Sequence, residues 1–244
     1  MSEIVTAGIL VIGDEILSGR TKDKNIGFIA EYLTNIGIDL KEVRVVADDE
    51  GDIVAALDAL RNRYTYVFTT GGIGPTHDDI TADSVAKAFG VGIDHHPEVV
   101  ARFKERFKDD LNEARLRMAR IPDGAELITS ATILAPGFKI GNVIVMAGVP
   151  SIMQAMMDIV SPKLKSGVRM LSDSVRANAR EGDIGSPLRD IQTAHPDTSI
   201  GSYPFLDEDS KPNTNIVVRS RDAGKLEAAM ADVKTMLAGL KVAR

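Results

Sequence analysis

Residues Val5-Thr-Ala-Gly-Ile-Leu-Val-Ile12 form a near-continuous apolar run. A strand of that kind has no solvent face, so it needs cover on both sides, as the inner strands of parallel sheets do. The next segments of the chain supply that cover. Ile26, Ile29, Ala30 and Leu33 keep helical spacing from Asn25 on, and the pattern stops at Asn35-Ile36-Gly37, where glycine suits a C-cap. A second strand is predicted over Leu40 to Val46, an amphipathic helix through Ile53, Leu57 and Leu60, and a third strand over Tyr64 to Phe68. An Ala-rich helix ending at Gly90 comes after a glycine loop. The order β-α-β-α-β-loop-α implies an α/β fold: a parallel sheet with helices on both faces and right-handed crossovers.

Further along, Pro97 is placed to open a helix whose face carries Val100, Phe103, Phe107 and Leu111, with a mixed basic rim from Arg115 to Arg120 after it. Asn142 to Met146 reads as another strand ending at Gly148-Val149-Pro150, and Ser151 as the N-cap of a helix with Ile152, Met156 and Val160 inward. Composition shifts between Ser161 and Asp183, which places a boundary around 165 to 180 and gives domains 1–170 and 171–244. The second piece predicts a helix over Pro187 to Ala194, strands over Ser199 to Phe205 and Thr214 to Ser220, and a last helix through Leu226, Met230, Val233 and Leu237. It reads as a small α+β subdomain.

The loop between the third strand and its helix is Gly71-Gly72-Ile73-Gly74-Pro75-Thr76-His77-Asp78-Asp79-Ile80-Thr81. Three glycines in four positions remove the Cβ atoms that keep a ligand from backbone N–H groups, which suits a phosphate. The loop lacks both the third glycine of a dinucleotide fingerprint and the lysine of a P-loop. Asp78 and Asp79 would repel a phosphate unless a cation lies between them or one of them meets a ribose or a base instead. In open α/β sheets ligands sit outside the carboxyl ends of strands, and three of the four such ends here carry acid: Gly13-Asp14-Glu15, Asp48-Asp49 and the loop to Asp79. Asp14, Asp48 and Asp79 are therefore the candidate metal ligands, for Mg²⁺ or a similar divalent ion.

Each has an ordinary reading beside it. Asp14 suits a turn cap, Asp48 or Asp49 an N-cap for the helix through Ile53, Asp79 or Thr81 a cap for the next helix, and Asn25 a cap by type. His77 reads as a solvated loop residue, and His95, His96 and His195 carry no assigned chemistry. The Met153, Met156, Met157 cluster reads as core.

Composition narrows the partners. The 244 residues are 44% apolar with a net charge of −6 and no cysteine. Net acidity argues against a general nucleic-acid or anionic-membrane binder, and zero cysteines exclude disulfides and thiolate metal sites. The start Met1-Ser2-Glu3-Ile4 lacks the order of a signal peptide, so the expected location is cytoplasmic.

Thr70-Gly71-Gly72-Ile73-Gly74-Pro75-Thr76 followed by Asp78-Asp79-Ile80-Thr81 resembles the signature of the molybdopterin-binding (MoaB/MogA-like) domain family. With Gly13-Asp14-Glu15-Ile16-Leu17-Ser18-Gly19, Asn25, Pro122-x-Gly124-Ala125, Ala135-Pro136-Gly137 and Ser202-Tyr203-Pro204-Phe205, the chain is similar to the N-terminal part of CinA-type competence/damage-inducible proteins and to the corresponding part of eukaryotic FAD synthases. The resemblance implies a three-layer αβα domain with a mostly parallel sheet, followed by a KH-like subdomain. It implies metal-dependent hydrolysis of an ADP-ribose-like or FAD-like phosphoanhydride, with Asp48 and Asp79 catalytic. Gly71, Gly72, Gly74, Pro75, Thr76, Thr81 and Asn25 would then hold phosphate or nucleotide. The alternative it leaves is a molybdopterin-binding protein without hydrolase activity. It further implies a homo-oligomer, dimer or trimer. The C-terminal deamidase domain of full CinA is not expected in this chain. Ala147-Gly148-Val149-Pro150 stands where many relatives carry Pro-Gly-Pro-Pro, and the subdomain lacks a Gly-x-x-Gly clamp, so RNA is not an expected partner.

Overall fold

The computed structural model describes residues 4–242. The chain divides into two compact units, the first ending at Gly167 and the second beginning at Val168, against an expected boundary at 170.

In the first unit β1 (Val5–Ile12) leads through the single turn α1 (Asp14–Leu17) to α2 (Asn25–Asn35), β2 (Ile38–Val46), α3 (Glu50–Arg61), β3 (Tyr66–Thr70) and α4 (Thr81–Phe89). Then come β4 (Ile93–His95), α5 (Pro97–Phe107), α6 (Glu113–Arg117), β5 (Arg120–Pro122), β6 (Glu126–Ile128), β7 (Gly137–Ile140), β8 (Val143–Met146) and α7 (Pro150–Val160). The six-stranded sheet has the order β2-β1-β3-β8-β7-β6. β2, β1, β3 and β8 are mutually parallel, and β7 and β6 extend the edge antiparallel. The mostly parallel α/β sheet matches the sequence reading. β7 and β6, each antiparallel to its neighbour and of four and three residues, are too short to show a period. β4 and β5 pair in a separate ribbon.

The alternation of β1 sorts the core into two layers. Val5, Ala7, Ile9 and Val11 pack with Ile29 and Leu33 of α2 and with Met153, Met156, Met157 and Val160 of α7. Leu10 and Ile12 point the other way, onto Ile53, Leu57 and Leu60 of α3 and Val85 of α4. All of these are at most 3% exposed, so β1 lies between helices, as its unbroken apolar run requires. The methionines are core, as their spacing suggests.

Three local expectations are corrected. β3 runs from Tyr66 to Thr70, not from Tyr64, because the Tyr64 amide donates to the Leu60 carbonyl and continues the end of α3. α7 opens at Pro150, whose ring presets the first helical φ, with Val149 and not Ser151 at the N-cap. On α5 the fully buried residues are Val99 and Phe103, and the helix ends at Phe107, where Lys108 turns to φ 48; Val100, Phe107 and Leu111 are partly buried against them.

The second unit runs β9 (Leu171–Arg176), α8 (Glu181–Ala194), β10 (Ser199–Leu206), β11 (Pro212–Ser220) and α9 (Ala223–Val242). Its antiparallel sheet has the order β10-β11-β9. Ile184 and Leu188 of α8 and Ala229, Met230 and Val233 of α9 cover Ile216 and Val218 of β11. α8 begins six residues before Pro187, which lies inside it. Burial of Ile184 on the sheet outweighs the backbone bond that proline forgoes. β9 is mostly exposed, so its polar sequence reads as a linker.

Candidate functional site

The carboxyl ends of β1, β2, β3 and β8 form one rim. Gly13 N donates to Val46 O at 3.1 Å, and Gly71 N donates to Met146 O at 3.3 Å, so the four exits are tied in neighbouring pairs. At the first pair, Asp14 opens α1 and its amide donates to Asp48 Oδ2 at 2.9 Å. Burial raises the pKa of Asp48 above the ordinary carboxylate value; the Asp14 amide offsets part of this, while the carboxylates of Asp14, Glu15 and Asp78 push it further up. The capping role belongs to the next residue: Asp49 accepts from Asp52 N at 3.0 Å at the start of α3. Two adjacent acids thus divide the work, one holding a helix and one facing the rim.

The glycine loop owes its shape first to contacts with its own protein. Gly71 has φ 103, and a Cβ there would overlap the Ile12 carbonyl oxygen. Gly72 has φ 65, and a Cβ there would overlap Thr81 Oγ1. Both positions require glycine whatever the loop binds. Thr81 is fully buried; its hydroxyl donates to Gly71 O at 2.9 Å and its amide to Gly72 O at 3.0 Å. The Gly71 amide is spent on the sheet. Among the described residues, no hydrogen bond is made by the N–H groups of Gly72, Ile73 or Gly74.

Asp79 turns inward along the loop, where its Oδ2 accepts the Thr76 amide at 2.8 Å and the Thr76 hydroxyl at 2.5 Å. Neither Asp79 nor Thr81 makes a side-chain cap on α4, whose N-cap is Ile80. Asp78 is exposed beside His77, at 3.9 Å. Pro75 and Thr76 lie exposed at the loop tip. Asn25 is the first residue of α2 and 5% exposed; its Nδ2 donates to Gly148 O at 2.9 Å, while its buried Oδ1 has no partner.

The structure therefore brings Asp14 and Asp48 into contact and adds Glu15 and Asp78, which the sequence reading left out of the ligand set. Among the described residues, no group of three or more His, Cys, Asp or Glu side chains is arranged to hold a metal ion by itself. One basic residue also escaped notice. Arg117, at the end of α6, donates to the Asp79 carbonyl at 3.3 Å and lines one cleft with Gly72, Gly74 and Asp79. Sequence offered only the basic run from Arg115 to Arg120, 38 positions away from Asp79.

Comparison with known proteins covers both units. Residues 8–166 match the family model described as a probable molybdopterin binding domain, and residues 169–244 match the middle domain of FAD synthase. A protein of Aeropyrum pernix is 33% identical over 95% of this chain and 91% of its own length. A probable FAD synthase of Caenorhabditis elegans is 30% identical over 98% of this chain, which spans only 51% of the worm protein. Among solved structures, the protein CinA of Thermoplasma acidophilum, described as of unknown function, superposes with a TM-score of 0.62 and 33% identity, over 66% of this chain and 98% of its own.

Proposed function

The chain belongs to the molybdopterin-binding domain family, and we propose that it serves there as a metal-dependent nucleotide pyrophosphatase acting on an ADP-ribose-like or FAD-like phosphoanhydride. The observation that carries this reading is Asp48: a half-buried carboxylate held at a strand end among Asp14, Glu15 and Asp78, beside a loop that offers unbonded amides.

The acids fit a divalent ion of the magnesium type. Such an ion takes one or two carboxylates and completes its shell with substrate phosphates and water, so it does not need a preformed cage of three acids. Asp14 and Asp48 would hold it, with Asp79 on the glycine loop. When bound, the ion supplies positive charge at the bridging phosphates. The amides of Gly72 and Gly74 would take the phosphate oxygens from the other side. Asp48 would also orient the attacking water beside the ion. Water oxygen adds to one phosphorus, the bridging P–O bond breaks, and the products of ADP-ribose are AMP and ribose 5-phosphate. Asp79 keeps the loop in shape through Thr76, and Asn25 holds the start of α2 against the Gly148 carbonyl beside the loop.

Purified protein incubated with ADP-ribose or FAD should release AMP with Mg²⁺, Mn²⁺ or Co²⁺ and none in EDTA. Asp48→Asn should lower the rate by about a hundredfold or more. No AMP from either substrate with any of the three ions would end this reading, and a bound but unhydrolysed pterin or nucleotide would replace it.

A further inference from the structure

A positively charged side chain that is partly buried ordinarily has an acid partner, since burying an unpaired charge is costly. Arg117 has none. Its neighbour Arg120 is neutralised by Asp83, with contacts of 2.6 and 2.9 Å, and Arg115 stacks on the Phe107 ring at 4.6 Å. Among the described residues, Arg117 forms no ion pair, and the bond from its guanidinium to Asp79 O is long at 3.3 Å. Its Nε is fully buried and has no hydrogen-bond partner at all. Buried donors in folded proteins are nearly always satisfied, so one that is not points to a missing acceptor.

The surroundings specify that acceptor. Arg117 shares its cleft with Gly72 and Gly74, whose amides are likewise without acceptors. Unpaired donors and a full positive charge in one cleft fit a tetrahedral anion, and a guanidinium matches phosphate oxygens with paired N–H groups. The cleft itself holds about 20 Å³, room for one water and not for a phosphoryl group. An anion would therefore have to sit at the mouth, where the 3.3 Å Arg117–Asp79 contact is the one to give way.

We propose that Arg117 binds a phosphate of the ligand together with the Gly72 and Gly74 amides, so that the rim carries its own anion-binding cation apart from any metal. The proposal rests on the reading of the glycine loop as the phosphate end of the site, and it does not require hydrolysis. It also gives an incoming phosphate a cation beside the Asp79 carboxylate, which lines the same cleft.

The test is calorimetric titration of the full chain with inorganic pyrophosphate and with ADP-ribose, both in EDTA so that no divalent ion contributes. The wild type should bind both, more weakly as salt is raised. Arg117→Ala and Arg117→Gln should each weaken pyrophosphate binding by about tenfold or more, and Arg117→Lys by clearly less, since it keeps the charge but loses the fork. The Gln variant can still donate to Asp79 O, and thermal melts of all three identify any loss of fold. Unchanged affinity in folded Ala and Gln variants would overturn the proposal, as would a wild type that binds neither probe. Arg117-dependent pyrophosphate binding in a protein that releases no AMP would sink the hydrolase reading and leave this one standing. AMP release with binding indifferent to Arg117 would do the reverse.

Discussion

Asp48 shows how one side chain can work against stability. Burial and three nearby acids make its charged form unfavourable, so the folded protein binds the Asp48 proton more readily than the unfolded chain does. Above the raised pKa the charge subtracts from stability, and the subtraction fades as pH falls through that value and the unfolded one. Asp48→Asn keeps an oxygen able to accept the Asp14 amide, so in EDTA near neutral pH it should raise the melting temperature while removing turnover. The gain should shrink as pH is lowered through the carboxylate range; a gain independent of pH would place its cause elsewhere. Gly71 carries the opposite lesson. With φ 103 and the Ile12 carbonyl where a Cβ would lie, Gly71→Ala should cost more than about 2 kcal/mol in urea unfolding. An unchanged midpoint would show that the loop relaxes freely.

Among the elements, α3 and the β10–β11 turn depend on single carboxylates. Asp49→Ala removes the side-chain cap of α3 and should cost about 1 kcal/mol, with any AMP release unchanged because the Asp49 carboxylate is engaged with Asp52 N. Equal stability in urea would mean that water replaces the cap. In the turn, Asp207 accepts the amides of Lys211 at 2.9 Å and Asp209 at 3.0 Å. Its pKa is lowered, chiefly by the Lys211 amide. The contribution of Asp207 is then present above the unfolded carboxylate pKa and lost as pH falls through the folded one. Asp207→Asn should therefore cost stability near neutral pH, with the difference from wild type vanishing in acid. These elements were legible for unequal reasons. β1 and α2 announce themselves by period, whereas α8 hides behind Pro187 and β9 behind a polar sequence that only its ladder with β11 turns into a strand.

At the scale of the molecule each compact unit has a hydrophobic interior of its own. The first unit is a sheet lined on both faces, and the second is a sheet lined on one. Ile216, at 0% exposure, anchors the second. Ile216→Ala should destabilise that unit by about 2–5 kcal/mol. In hydrogen exchange read by mass spectrometry, faster exchange should appear in β9, β10, β11, α8 and α9 and leave β1 and β3 protected. Uniform acceleration through both units would show a single cooperative fold. No helix among the described residues is long and apolar enough to cross a membrane, in keeping with an interior built only of these layers.

By itself the chain's order of apolar periods determined the parallel α/β core, because a strand without a polar face has few ways to be covered. Its glycine and acid motifs marked the loop and strand ends as the place of interest, since local chemistry is written in residue type. Which acids meet is a different matter. Asp14 touching Asp48, Asp79 folding onto Thr76, and Arg117 reaching the loop from 38 residues away depend on strand order and helix placement. Those are settled by packing across the sheet, and distance along the chain carries no record of them.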